Sequence, residues 1–202
     1  AVFGCAALTG VGAALNSAQV QPGEAVAVFG LGGVGLSALL GAKLAGASRI
    51  IAVDPVESKR ELAIELGATE ALDGGPETVD RLKELTGGGA HKTIETAGSA
   101  RVLEAAYAAT RRGGTTVTVG LPHPDDELRI QAVSLVAEEK TLRGSYLGSG
   151  NPAEMLPKLF DHWRNGELPV EQLITHRLGL DEINEGFDRL ASGEAVRQIV
   201  TP

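Results

Sequence analysis

The stretch Ala25-Val-Ala-Val-Phe-Gly30-Leu-Gly-Gly-Val-Gly35 joins a short, continuous apolar run to a glycine-rich turn. Such a run, with no polar alternation, marks a strand buried on both faces of a parallel sheet. The turn spells G-x-G-x-x-G, and residues 36–45 after it are helical in composition and closed by Gly46. Alone the turn is a weak signal in a chain where 27 of 202 residues are glycine. Its context is stronger. Asp54 ends the next apolar run, nineteen residues beyond Gly35, close to the spacing of about twenty that joins a phosphate-binding turn to a ribose-binding acid.

The same alternation continues outward. Helices are predicted over 57–66 (with Gly67 as its C-cap), 76–85 and 100–111, the last closed by Arg111-Arg112. Strands are predicted over 68–72, 92–96 and 115–119. At least four strand–helix alternations with short connections predict a doubly wound α/β parallel sheet, the Rossmann arrangement; a TIM barrel would need eight such units. After about Gly148 the pattern changes to helices over 152–166 and 181–192, the second with Asp181 as N-cap, and short strands over 177–180 and 196–200. The expected organisation is a dinucleotide-binding domain over 1–147 and an α+β extension over 148–202.

Charge and composition narrow the function. Eighteen basic against 26 acidic residues give −8, which argues against a nucleic-acid groove or a polybasic membrane patch. Residues 1–60 carry four basic and three acidic side chains, so the glycine-rich third does not repel an anion. One cysteine, Cys5, excludes an internal disulfide and any site of several thiolates, and fits a reducing cytoplasm. The apolar opening lacks a basic n-region and is not read as a signal peptide, and no run of eighteen apolar residues is present to span a membrane. His91, His123, His162 and His176 show no metal spacing and read as surface or structural, Asp125-Asp126-Glu127 as a solvated loop. The stripe Met155, Leu156, Leu159, Phe160, Trp163 reads as core, part of it left uncovered.

Each part of the turn has a physical role. Gly30 permits the tight bend, Gly32 lets backbone approach a pyrophosphate, and Gly35 lets helix pack on sheet. The helix amino terminus offers unpaired N–H groups and positive dipole to phosphate. Asp54 accepts from ribose hydroxyls and repels a 2′-phosphate, and Pro55 and Val56 bring no cation for one. NAD is favoured over NADP.

Taken together, the motifs resemble the zinc-dependent alcohol dehydrogenases of the medium-chain dehydrogenase/reductase family. The resemblance rests on Gly4-Cys-Ala-Ala-Leu-Thr-Gly-Val-Gly12, residues 28–36, Glu65-Leu-Gly-Ala-Thr-Glu70, Leu173-Ile-Thr-His176, Ile183-Asn-Glu-Gly-Phe187 and Ser192-Gly-Glu-Ala-Val-Arg197. The class III, thiol-linked formaldehyde branch and the aryl-alcohol branch look nearest. The resemblance implies that Gly30, Leu31, Gly32, Gly33 and Val34 form the pyrophosphate turn, and that Asp54 and Lys59 contact the adenosine ribose. It likewise implies that Thr9, Ala97, Val119 and Leu121 lie around the nicotinamide, that backbone at Ser145 and Leu147 meets its carboxamide, and that Arg197 reaches back to the pyrophosphate. Cys5 resembles the third protein ligand of a catalytic zinc, which in such enzymes polarises the alcohol oxygen while hydride passes to the nicotinamide. The other two ligands, the proton relay and the four-cysteine structural zinc lobe have no counterpart in this sequence. The implied whole is an NAD-linked enzyme acting on a small alcohol or aldehyde. It is a cytoplasmic homodimer or tetramer, with zinc bound only in the complete enzyme. The apolar run 128–136 falls in the family's subunit-contact region. This chain alone is expected to bind cofactor without turnover.

Three other readings stay open. A zinc-free, NADPH-dependent quinone or enoyl reductase is opposed by Cys5 and Asp54. A methyltransferase could use the same turn and acid, and a non-catalytic NAD-sensing module could use the same fingerprint. A short-chain dehydrogenase is excluded, because Tyr107 and Tyr146 have Arg111 and Gly150, not lysine, four residues on.

Overall fold

The computed structural model describes residues 2–201; Ala1 and Pro202, the outermost residues of the two predicted parts, lie outside the described residues. A 3-10 turn, Val2–Gly4, leads into α1 (Ala6–Gly12), which runs on as a π-turn, Ala13–Ser17. Every residue of α1 is buried, so the apolar opening is a core helix. There follow β1 (Ala25–Phe29), α2 (Gly33–Leu44), β2 (Arg49–Val53), α3 (Glu57–Leu66) and β3 (Glu70–Leu72). The second half holds α4 (Thr78–Thr86), β4 (Ala90–Glu95), α5 (Ala100–Ala109), β5 (Thr110–Thr118), α6 (Ala132–Ala137) and β6 (Thr141–Gly144). All six strands pair in parallel in the order β3-β2-β1-β4-β5-β6. The doubly wound prediction holds, and the order reverses between β1 and β4.

Strand periodicity builds the two layers. Val26 and Val28 of β1 and Ile50 and Ala52 of β2 join one core with residues of α1, α2 and α3. Their neighbours Ala27, Phe29, Ile51 and Val53 join a second core with Leu82 of α4 and Ala106 and Ala109 of α5. Burying a side chain such as Phe29 or Ile51 contributes about 1.5–3 kcal/mol, and both faces of the sheet are filled.

Beyond β6, α7 (Pro152–Arg164) starts at Asn151, whose side-chain oxygen accepts from the Ala153 N–H at 3.0 Å, with proline at the first helical position. Then come β7 (Ile174–Leu178), α8 (Ile183–Ser192) and β8 (Arg197–Val200), the two strands forming a separate parallel pair. On the α7 stripe Leu159 is buried and Met155 and Leu156 pack against the core, whereas Phe160 and Trp163 are exposed beside Phe3.

Several boundaries differ from the sequence reading. Arg111 and Arg112 do not close a helix: α5 stops at Ala109 and both lie in β5. Thr110 decides this. Its buried hydroxyl bonds the Ala106 carbonyl at 2.9 Å and the hydroxyls of Thr93 and Thr116 at 2.8 and 2.7 Å, turning the chain straight into the sheet. Helix α2 begins at Gly33, inside the glycine turn. Asp181 lies within a 3-10 turn, Leu180–Glu182, before α8, and the strand expected over 177–180 sits earlier, at Ile174–Leu178.

Candidate functional site

The carboxyl ends of five strands form one edge. Phe29 pairs with Val53 and with Glu95, Glu95 with Thr118, and Thr118 with Gly144. The ladder extends one step further. Gly30 N–H donates to the Val53 carbonyl at 2.8 Å, Val119 N–H to Glu95 at 2.8 Å, and Ser145 N–H to Thr118 at 2.9 Å. The structure thus brings Gly30, Asp54, Ala97, Val119 and Ser145 to adjacent strand ends around the switch point, where open α/β sheets bind ligands.

The turn itself is tightly built. A Cβ at Gly35 would stand 1.8 Å from the Gly30 carbonyl oxygen, so helix and turn meet there backbone to backbone. The Thr96 hydroxyl fastens that carbonyl at 2.7 Å. Leu31 is fully buried, while Gly32, the N-cap of α2, borders open space. Asp54 is 7 % exposed, and its carboxylate accepts from the Leu31 N–H at 2.7 Å and the Val56 N–H at 2.9 Å. It therefore ties the turn to the end of β2 and keeps further lone pairs for another donor.

Arg197, at the start of β8, lies over the same turn. Its Nε would be 2.1 Å from a Cβ at Gly33, and among the described residues this buried nitrogen has no hydrogen-bond partner. A buried guanidinium donor left unpaired is destabilising, and here it faces the amino end of α2. An anion at that point would satisfy both.

Other predicted positions are looser. Thr9 is buried on α1, and Cys5 is exposed just before that helix. Lys59 is half-buried, its Nζ facing Gly193. Leu121, 81 % exposed, lies past β5 beside Gly98, and Leu147 is exposed in the turn after β6. Among the described residues no three His, Cys, Asp or Glu side chains stand together as a metal site. A surface groove of about 720 Å³ lies apart from this edge, along α5 and α6, lined by Tyr107, Arg112, Gln131 and Lys140.

Sequence reasoning missed Glu95. It is 1 % exposed, accepts from the Gly98 N–H at 2.7 Å and the Thr118 hydroxyl at 2.8 Å, and so pins the ends of β4 and β5. The signal was faint: Glu95 closes β4, whose Ala90-His-Lys-Thr-Ile run is mixed in polarity, unlike the apolar run before Asp54. Missed too were Asn16 and Ser17, whose side chains reach the turn after β6.

The family model of the zinc-binding dehydrogenases matches residues 33–163. The chain belongs to that family. It is 42 % identical over 200 residues to the geraniol dehydrogenase of Castellaniella defragrans, covering 98 % of this chain and 53 % of that protein. It is 43 % identical over 203 residues to alcohol dehydrogenase class-2 isozyme 2 of Oryctolagus cuniculus, with the same coverage. The crystal structure of benzyl alcohol dehydrogenase from Acinetobacter calcoaceticus superposes with a TM-score of 0.94 at 37 % identity, covering 98 % of this chain and 55 % of that one. This zinc-binding dehydrogenase chain thus spans about half the length of the relatives it matches. It is the part that carries the parallel sheet, within the medium-chain dehydrogenase/reductase family, and the resemblance read from the motifs holds.

Proposed function

We propose that this chain is the NAD(H)-binding part of a zinc-dependent alcohol or aldehyde dehydrogenase, which moves hydride between a primary alcohol, or a thiol–formaldehyde adduct, and NAD. The buried, unpartnered Nε of Arg197 over the Gly33 turn carries this reading. A pyrophosphate there would take the Arg197 donor and the N–H groups at the start of α2 together. Asp54 would then accept from the adenosine ribose and hold off a 2′-phosphate, with Lys59 at the rim. Ala97, Val119 and Leu121, with Thr9 behind them, would flank the nicotinamide, and Ser145 and Leu147 would bound its far end.

When bound, the nicotinamide supplies the hydride carrier. The protein's own contribution is to hold the dinucleotide extended across the edge. Zinc does not fit the described residues, because Cys5 stands alone and exposed. Further ligands would have to come from outside this chain. The reading includes catalysis only in a complete, cytoplasmic enzyme, the 202-residue chain binding cofactor without turnover.

Fluorescence titration of the chain with NADH and S-adenosylmethionine, followed by an alcohol-dependent NAD reduction assay with added zinc, tests this. NADH binding without turnover is expected. Binding of S-adenosylmethionine alone would overturn the cofactor assignment, and robust alcohol oxidation would overturn the incompleteness.

A further inference from the structure

The turn after β6 is strained. Leu147, Gly148 and Ser149 take φ values of +48°, +76° and +52°, three left-handed residues in succession, two of them with side chains. Left-handed backbone is disfavoured for such residues and persists only where the surroundings impose it. The surroundings here belong to the other end of the chain. A Cβ at Gly148 would stand 2.3 Å from the Leu8 carbonyl oxygen of α1. The Asn16 side-chain amide donates to the Gly148 carbonyl at 2.8 Å, and the Ser17 hydroxyl donates to that of Ser145 at 2.8 Å. Ser149 adds a 3.3 Å contact to the Ser145 hydroxyl.

The π-turn makes this double grip possible. Ala18 N–H bonds back to the Ala13 carbonyl at 2.8 Å, five residues away. The widened turn presents two consecutive side chains, Asn16 and Ser17, to one loop. Such turns are frequent at functional sites. Leu8, Gly12 and Asn16 follow one another along the face of α1 and the π-turn that meets the loop, and a Cβ at Gly12 would lie 2.6 Å from Gly148 Cα.

The strained turn stands at the carboxyl end of β6, in the half of the sheet opposite Asp54. A dinucleotide laid across the switch point puts one mononucleotide on each half. With adenosine at Asp54, the second nucleotide falls on the ends of β4, β5 and β6. We infer that Asn16 and Ser17 are positioning residues that hold the 147–149 turn in its left-handed form, so that its backbone is ready for the nicotinamide half of the cofactor. This rests on the dinucleotide reading above. Neither side chain need touch the cofactor. Without the grip the turn relaxes, and the cofactor must re-order it on binding, which lowers apparent affinity in proportion to the competent fraction.

The test compares NADH with ADP-ribose, which lacks the nicotinamide ring, on the full chain and on Asn16→Ala, Asn16→Asp and Ser17→Ala. Loss of the part-buried Asn16–Gly148 hydrogen bond, together with relaxation of the turn it holds, predicts NADH binding weakened about tenfold in either Asn16 variant. A smaller loss is expected in Ser17→Ala, with ADP-ribose affinity within about twofold of wild type throughout. ADP-ribose binding also reports that each variant is folded, and Ser17→Ala keeps the test open should Asn16→Ala not fold. Equal weakening of both ligands, or unchanged NADH affinity, would overturn the inference while leaving the cofactor assignment intact. Wild-type protein that bound neither ligand would overturn both.

Discussion

Arg197 is the residue on which the functional reading turns. Its position over the Gly33 turn leaves Nε buried and, among the described residues, unpaired, a state that costs stability in the free protein and is relieved by an anion. Stability and binding should therefore respond in opposite senses. Arg197→Met is expected to leave the Tm unchanged or raised, because methionine fills similar space without an orphan donor. The same variant should weaken NADH about ten- to hundredfold, the worth of a charge-assisted hydrogen bond. Parallel thermal melts and NADH titrations check this; a lower Tm with unchanged binding would mean that Arg197 is merely structural.

At the scale of elements, the pairing of β1 with β4 has a titratable clasp. His91 Nδ1 accepts from the Ala25 N–H, the first residue of β1, at 3.1 Å. Its pKa is lowered, first by burial and then by Arg111, with Lys92 adding to the effect and Glu24 opposing it. The folded protein resists protonating a ring that the unfolded chain protonates at about 6.5. The clasp's stability is fully present above pH 6.5 and is lost as pH falls below it towards the folded pKa. Unfolding free energy measured by denaturant titration between pH 8 and 5 should show this step, and His91→Gln should remove it. Glu138 behaves similarly at lower pH: the Lys140 hydrogen bond, 2.7 Å long, holds its pKa below 4.5, and that contribution fades as pH falls through the folded value.

The elements also show what the sequence made legible. The strands β1 and β2, the glycine turn and Asp54 could be read because periodicity, turn chemistry and spacing agree locally. The α5–β5 junction could not, because no glycine or proline separates helix from strand and Thr110 turns the chain through buried hydroxyl bonds. The sequence reading of Asp181 as a helix cap failed for a similar reason. Gly179 N–H bonds Glu182 at 2.9 Å and starts a 3-10 turn before α8. The grip of Asn16 and Ser17 on residues more than 120 positions away was invisible in the sequence, since nothing local marks a long-range hydrogen bond. Motif resemblance supplied Arg197, which no local pattern would have picked out.

For the whole molecule, β3 and β6 are the two edges of the sheet, and the β6 edge lies beside exposed apolar residues. β6 ends the sheet, and α6 next to it exposes Val133 and Val136, 67 % and 81 % accessible. Apolar exposure beside an unpaired strand edge suits association with a second copy. The homodimer or tetramer that the motif resemblance implies would be weakened by Val136→Asp, read as a shift to monomer by sedimentation, with NADH affinity unchanged. A wild-type protein sedimenting as a monomer would remove that part of the account. No helix among the described residues is long and apolar enough to cross a membrane.

Every proposed role depends on this sheet edge holding NAD(H), with Asp54 excluding a 2′-phosphate. Calorimetric titration of the chain with NADH and NADPH tests it most directly. One NADH per chain is expected, with NADPH at least about tenfold weaker, the equivalent of roughly 1.4 kcal/mol of repulsion at Asp54. No heat with NADH, or tighter binding of NADPH, would contradict it.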